Sequence, residues 1–141
     1  MKIAIYIGKR GLEEDRGFKT LVGELVDGGC ELVYLADGEL LPDGVDMLLS
    51  IGGDGTFLSA SKYVAQKDVP VMGVNLGRMG FLSENRPSDV AQAILAGEYT
   101  VESRAMLKAV ILGSETGEGG EVDSWPYALN EFTVHRNGAA M

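Results

Sequence analysis

Gly52-Gly53-Asp54-Gly55-Thr56 is the stretch of this sequence that decides its fold. It follows a mostly apolar run and leads into a segment whose apolar residues have helical spacing. Glycines have no Cβ, so backbone amides can approach an anion closely, and the start of a helix adds unpaired N–H groups and the positive end of a dipole. The stretch therefore predicts a loop that binds phosphates. The alternative interpretation is a tight turn between a strand and a helix.

The carboxylate of Asp54 inside this loop is informative, because an acidic side chain does not suit simple anion binding. Such a group takes a proton from a nucleophile, or it helps to hold a metal ion that bridges phosphates. Phosphoryl transfer is the reaction class that uses these roles. Thr56 is expected to cap the following helix, with a phosphate contact as its alternative role.

A second glycine-bearing segment, residues 73–82 with the sequence GVNLGRMGFL, follows the apolar run at residues 69–74. In a parallel sheet the ligand crevice lies at the carboxyl ends of the strands. Two glycine-bearing loops after two neighbouring strands are therefore expected to meet at that edge. This second segment favours the phosphate-binding interpretation over the simple turn.

Strand-like and helix-like segments alternate along the first part of the chain. Short apolar runs predict strands at residues 3–7, 32–35, 45–51 and 71–74, and helical spacing predicts helices at residues 18–26, 57–64 and between Pro87 and Gly97. The first helix is expected to bury Phe18, Leu21, Val22, Leu25 and Val26. This alternation is typical of an α/β fold with a doubly wound, mostly parallel sheet, Rossmann-like and phosphofructokinase-like.

The pattern changes after Gly97, where two predicted strands, residues 107–112 and 127–135, are joined by a long glycine-rich acidic loop. Consecutive strands without a helix between them indicate an antiparallel hairpin. We therefore expect an α/β nucleotide-binding domain over residues 1–100 and the start of a second, β-rich domain over residues 101–141. Because no sequence follows Met141 to cover the hairpin, the chain is expected to be a fragment of a longer protein.

Composition limits the classes of function. The chain has 141 residues, and 45% of them are hydrophobic. Its formal charge of −9 argues against binding to a nucleic-acid backbone and favours a magnesium requirement for the binding of any nucleotide. Cys30 is the single cysteine, cannot form an internal disulfide and is expected to be buried. No apolar run has the length of a membrane span or of a signal peptide, so we expect no membrane partner and a cytoplasmic protein.

Three segments in order carry a family resemblance: residues 52–56, residues 73–82 and the pair Asn130-Glu131. Together they resemble the motifs of the N-terminal part of NAD kinases, and the resemblance covers essentially the whole chain. The first motif is shared with diacylglycerol and sphingosine kinases and is similar to one in phosphofructokinases. The second motif discriminates, because the lipid kinases have a Pro-rich segment at that point which is absent here.

The resemblance implies an enzyme that phosphorylates the 2′-hydroxyl of the adenosine ribose of NAD to give NADP. The phosphoryl donor would be ATP, or polyphosphate in its place, with Mg²⁺ as the divalent cation. Asp54 would be the general base that takes the hydroxyl proton. Gly52, Gly53 and Gly55 would shape the loop near the phosphates, with Asp54 and Gly55 also close to NAD.

The resemblance also assigns residues to the dinucleotide. Phe81 would pack near its adenine, and Asn130 and Glu131 would hydrogen-bond it. The family's β-rich second domain carries a further NAD-binding motif that these 141 residues lack, so we expect the chain alone to be inactive and the full-length protein to form a homo-oligomer. Two alternatives stay open: a nucleotide-binding module without turnover, and a lipid kinase of the diacylglycerol kinase superfamily.

Overall fold

A computed structural model of the chain describes residues 1–64, 67–77, 85–111, 120–121 and 127–129. The chain divides into two compact units, Met1–Val101 and Glu102–Met141. No helix in the described ranges combines the length and the apolar character needed to cross a membrane.

The first unit is built on a parallel four-stranded sheet. Its strands are β1 (Lys2–Ile7), β2 (Glu31–Leu35), β3 (Met47–Ile51) and β4 (Val71–Val74), and they lie in the order β2-β1-β3-β4. In register, Ile5 pairs with Tyr34 on one side and with Leu49 on the other, and Leu49 pairs in turn with Met72. The predicted parallel sheet is therefore confirmed.

Three α-helices accompany the sheet: α1 (Arg16–Asp27), α2 (Asp54–Val64) and α3 (Pro87–Ala96). A short 3₁₀ turn, Leu12–Glu14, precedes α1. The carboxylate of Asp15 caps α1 by accepting the Phe18 N–H at 3.1 Å, and Gly29 with φ 89° follows the end of this helix. The expected bracket of α3 is also present, because Pro87 is its first residue and Gly97 follows it with φ 69°.

The helices cover both faces of the sheet. Successive side chains of a strand point to opposite faces, so alternate residues of β1 contribute to two different cores. Ile3 and Ile5 belong to a core that includes residues of α1 and α3. Ala4 and Tyr6 belong to a second core that includes Ala60 of α2. Helices on both faces make the sheet doubly wound, as predicted.

Several details of the first unit differ from the prediction. Val26 is 53% exposed, because the last turn of α1 carries it beyond the side that faces the sheet. Cys30 is half-buried against the core shared with α1 and α3. Strand β3 begins at Met47, later than predicted, because Asp43 and Gly44 form a turn just before it, in which Gly44 has a φ of 77°.

The described residues of the second unit form two short antiparallel pairs. Strand β5 (Leu107–Lys108) pairs with β8 (Tyr127–Ala128), and β6 (Val110–Ile111) pairs with β7 (Gly120–Glu121). Antiparallel pairing was expected, but Gly120 and Glu121 were expected in the loop. They pair instead with Ile111 and Val110, because the glycine and acidic content that predicted the loop does not fix which residues face each other across a ladder. The remainder of the predicted second strand, residues 130–135, lies outside the described residues.

Candidate phosphate-binding site

The phosphate loop, residues 52–56, lies at the carboxyl edge of the sheet between β3 and α2. Strand β3 ends at Ile51 and α2 begins at Asp54, so only Gly52 and Gly53 connect them. The Gly53 carbonyl accepts the Phe57 N–H at 3.1 Å, which is the first hydrogen bond of the helical ladder. The strand, loop and helix therefore follow one another as the sequence predicts.

Gly52 is required by the backbone itself. Its φ of 149° lies in a region that other residues rarely adopt, and its N–H donates to the Val74 carbonyl at 3.0 Å. A Cβ at this position would lie 2.9 Å from the Cβ of Thr56. Both conformation and space therefore demand glycine here.

Gly53 and Gly55 differ from Gly52 in this respect. Both are exposed, and neither is among the glycines with positive φ. A Cβ at either position would have no heavy atom of the described residues within 4 Å. The local fold therefore accounts for glycine at position 52 but not at positions 53 and 55.

Asp54 is the first residue of α2 and is half-buried. A carboxylate in the first turn of a helix stabilises it by about 0.3–1 kcal/mol through the dipole and the unpaired N–H groups. The same position places this carboxylate beside the amides that an anion at the helix start would contact. Asp54 therefore stabilises α2, and a test of its catalytic role must distinguish a loss of catalysis from a loss of this stabilisation.

Thr56 has a different role from the predicted helix cap. It is the third residue of α2, and Gly53 occupies the cap position. Its side chain fills the space above Gly8 and Gly52, where a Cβ at Gly8 would lie 2.6 Å from the Thr56 Cγ2 atom. The cap prediction was wrong because the helix begins at Asp54, three residues earlier than a cap at Thr56 requires.

Gly8 is a residue of this site that the sequence reasoning missed. It follows β1 directly, and its N–H donates to the Ile51 carbonyl at 3.2 Å. The chain after β1 therefore contacts the phosphate loop through Thr56. The available signal was a glycine placed directly after a buried strand, as Gly52 is.

The second glycine-bearing segment begins at the same edge. Gly52 donates to Val74, the last residue of β4, and Asn75 follows with only 7% of its surface exposed. The Asn75 side-chain oxygen accepts the Gly77 N–H at 2.8 Å, and the Asn75 N–H donates to the Asn85 carbonyl at 2.9 Å. The two glycine-bearing loops do follow neighbouring strands, as predicted.

Several predicted site residues cannot be placed in this geometry. Phe81, Asn130 and Glu131 lie outside the described residues. Their assigned roles toward the dinucleotide stay predictions.

The described residues do not form a metal site made of protein side chains alone. Within those ranges no group of three or more His, Cys, Asp or Glu side chains could hold an ion. Mg²⁺ usually keeps several waters and is bound through one or two carboxylates together with substrate phosphates. One loop carboxylate, Asp54, fits that second arrangement and does not fit a cage made only of protein.

A buried tyrosine fixes α2 against the sheet near this site. The Tyr6 hydroxyl donates to the Asp37 carboxylate at 2.8 Å, and its ring centroid lies 5.3 Å from that of Tyr63 in α2. Burial, and then the hydrogen bond to Asp37, raise the pKa of Tyr6 to about 12. This cluster joins β1, the turn after β2 and α2.

A doubly wound parallel sheet with a glycine-rich strand-to-helix loop at its carboxyl edge places the first unit in the class of open α/β domains. Residues 34–99 match the family described as the ATP-NAD kinase N-terminal domain. An NAD kinase of Carboxydothermus hydrogenoformans is 46% identical over 103 residues, covering 70% of this chain and 37% of the relative. An NAD kinase of Porphyromonas gingivalis is 30% identical over 154 aligned positions, covering 94% and 51%.

The fold has a counterpart among solved structures. The crystal structure of an NAD kinase from Archaeoglobus fulgidus in complex with ATP superposes with a TM-score of 0.55 and 21% identity, over 78% of this chain and 41% of that chain. These comparisons confirm the resemblance to the NAD kinases, and the part of the chain that carries it includes residues 34–99, which match the family of their N-terminal domain. The chain spans 37% and 51% of the lengths of the two curated relatives.

Proposed function

We propose that this chain is the nucleotide-binding part of an NAD kinase, which transfers a phosphoryl group from ATP to the 2′-hydroxyl of the adenosine ribose of NAD. The observation that carries the proposal is the contrast within the phosphate loop. Gly52 is glycine for reasons of backbone and space, whereas Gly53 and Gly55 have open space above them. A tight turn explains only the first of these glycines. A ligand that must approach the backbone closely explains the other two.

The proposed donor binds at the start of α2. Backbone N–H groups at a helix start and the positive end of its dipole favour phosphate oxygens. The relative from Archaeoglobus fulgidus, which shares this fold, was crystallised with ATP. ATP is therefore the donor we propose, with polyphosphate as a second compound for the same assay.

Asp54 is the residue we propose as general base. A ribose hydroxyl is a weak nucleophile near neutral pH, and a positioned carboxylate that accepts its proton contributes about 10² to 10⁴ in rate. Asp54 stands at the first position of α2, next to the amides that would hold the transferred phosphoryl group. Mg²⁺ bound to the donor phosphates would neutralise charge during the transfer, and Asp54 is the loop carboxylate able to share in holding it.

NAD as acceptor rests on the relatives named NAD kinase. We propose that Phe81 packs near the adenine, that Asn130 and Glu131 hydrogen-bond the dinucleotide, and that Gly55 lies close to it. The match over residues 34–99 supports this acceptor over a lipid. A cytoplasmic location and a homo-oligomer of the full-length protein complete the proposal.

Since the chain spans 37% of the Carboxydothermus relative, we expect part of the NAD site to lie in regions that these 141 residues do not include. The isolated chain should then bind NAD weakly and form negligible NADP. Calorimetric titration and a coupled turnover assay measure both. Robust turnover by the isolated chain would contradict this expectation.

The activity itself is tested in a chimera in which residues 1–99 replace the equivalent residues of the Carboxydothermus NAD kinase. We expect NADP formation that depends on Mg²⁺, and we expect Asp54→Asn to lower kcat by about 10² or more while it changes NAD binding only modestly. Asp89→Asn is the matched control, because Asp89 is an exposed carboxylate in the first turn of α3 and lies outside the loop.

The same pair of variants separates catalysis from helix stabilisation. Each substitution removes a first-turn carboxylate, so both should lower stability by at most about 1 kcal/mol. Only Asp54→Asn should lose turnover. If the folded Asp54→Asn chimera turns over normally, Asp54 is a turn residue, and the chain is better described as a nucleotide-binding module without a base.

A further inference from the structure

The chain after β1 lies at the point where the strand order reverses. The backbone runs from β1 outward to β2, and then returns to place β3 on the other side of β1. In open α/β sheets, ligands bind outside the carboxyl ends of the strands at such a reversal. Residues 8–11, Gly-Lys-Arg-Gly, follow β1 at this reversal and are called the β1 loop below.

The β1 loop and the phosphate loop touch each other. Gly8 donates its N–H to the Ile51 carbonyl at 3.2 Å, one residue before Gly52. Thr56 packs over the backbone of both glycines, so that a Cβ at Gly8 would lie 2.8 Å from the Thr56 Cβ. Lys9, the next residue, therefore leaves the sheet directly beside the phosphate loop.

The β1 loop carries two cationic side chains, Lys9 and Arg10, that form no ion pair among the described residues. Lys9 and Arg10 are both exposed, and neither takes part in the salt bridges of the described ranges. The nearest carboxylates in sequence have other partners. Glu13 accepts the Gly11 N–H at 3.0 Å, and Glu14 pairs with Lys19 at 2.8 Å.

The charge of the whole chain makes these cations significant. A formal charge of −9 opposes the approach of a polyanion such as a nucleotide triphosphate. Local cations within the Debye length, about 8 Å at physiological salt, counter that field where the phosphates would lie. Arginine can bind two phosphate oxygens at once, and lysine supplies a mobile point charge.

We propose that Lys9 and Arg10 bind the phosphates of the phosphoryl donor held by the phosphate loop. This inference rests on the proposed function, and it adds a donor-binding element from a second strand end. The β1 loop then contributes side-chain cations, while the phosphate loop contributes backbone amides. Neither contribution replaces the other, because backbone dipoles orient the phosphates and cations neutralise them.

The test uses the 141-residue chain labelled with nitrogen-15, and inorganic tripolyphosphate as the probe, without magnesium. Amide shifts of the phosphate-loop glycines report where the probe binds, and their titration gives its Kd. The double variant Lys9→Ala/Arg10→Ala is compared with Lys62→Glu, which changes the net charge by the same amount. Lys62 is exposed in the last turn of α2, away from the start of that helix.

We expect the same glycine amides to shift in all three proteins. The double variant should raise the Kd about tenfold and weaken its dependence on salt, whereas Lys62→Glu should leave both nearly unchanged. If the double variant raises the Kd no more than Lys62→Glu does, the role of Lys9 and Arg10 is refuted and the phosphate loop stands. If tripolyphosphate shifts no glycine amide of the wild-type chain, the role of Lys9 and Arg10 is refuted together with the phosphate-binding role of residues 52–56 and the proposed function.

Discussion

The side chain of Thr56 occupies the space that a side chain on Gly8 would need, although 47 residues separate the two positions in the sequence. A Cβ at Gly8 would approach the Thr56 Cγ2 and Cβ atoms to 2.6 and 2.8 Å. Contacts this short do not occur between real side chains without movement of one partner. The junction between the β1 loop and α2 is therefore closed by one threonine packed on two glycines.

We expect Gly8→Ala to destabilise the protein by about 1–3 kcal/mol, because an added methyl must displace Thr56 or the start of α2. Chemical denaturation measures this loss. Gly23→Ala is the control, because Gly23 lies within α1 and a Cβ there has no neighbour within 4 Å in the described structure. It should stabilise the helix by about 0.5–1 kcal/mol.

The coupling between the two positions has its own measurement. In a Thr56→Ala background, Gly8→Ala should cost less than it does alone, because the displaced Oγ1 and Cγ2 atoms are gone. Equal costs in both backgrounds would show that Thr56 is not what excludes a side chain at position 8.

The two kinds of glycine in the phosphate loop should respond differently to alanine. Gly55→Ala should preserve or raise stability, by up to about 1 kcal/mol, because position 55 is helical and has open space. It should nevertheless weaken tripolyphosphate binding, since the added methyl lies where the ligand approaches. Gly52→Ala should lower stability through its φ of 149° and its contact with Thr56. Unchanged tripolyphosphate binding by Gly55→Ala would contradict a phosphate role for that residue.

Tyr6 gives the stability of the fold a dependence on alkaline pH. Its pKa is raised from 10.0 to about 12, so the contribution of this group is fully present below pH 10 and is lost as the pH rises toward 12. The amount is on the order of 2 kcal/mol. Unfolding measured from pH 8 to 12 should show this loss, and Tyr6→Phe should reduce it. Tyr34→Phe is the control, because Tyr34 is 51% exposed. An unchanged alkaline loss in Tyr6→Phe would contradict the assignment.

Ser50 offers a test of an internal polar cost. Its side chain is fully buried in β3, and its hydroxyl oxygen has no hydrogen-bond partner within the described part of the chain. Ser50→Ala removes that unpaired group, so we expect it to raise stability by about 1 kcal/mol. Thermal denaturation measures the change. A loss of stability would show that the hydroxyl is paired.

Much of the fold follows from local pattern, because buried parallel strands and one-sided helices leave distinct spacings in the sequence. The strand that precedes Gly52 and the helix that follows it could be predicted in this way. The role of Thr56 could not, because it depends on the register that brings Ile7 opposite Ile51 and thereby Gly8 to Gly52. Register between distant strands leaves no local signal.

The second unit illustrates the same limit. Two consecutive predicted strands without a helix between them indicated an antiparallel pair, but the boundary between strand and loop depended on which residues faced each other. Val110 pairs with Glu121, whereas Leu107 pairs with Ala128, so the two pairings do not share one register. A sequence pattern with a period of two residues does not encode such an offset.

Asn75 and Asn85 form a clamp that holds the end of β4 beside the chain that enters α3. Asn85 bridges to Val74, its side-chain amide donates to the Gly73 carbonyl at 3.0 Å, and its own carbonyl accepts from Asn75. The ends of residues 76–84 are thus held by bonds that do not involve the residues between them. Because lengthening a loop whose ends are fixed costs little, we expect β4 and α3 to keep their places when the length of chain between Asn75 and Asn85 is changed.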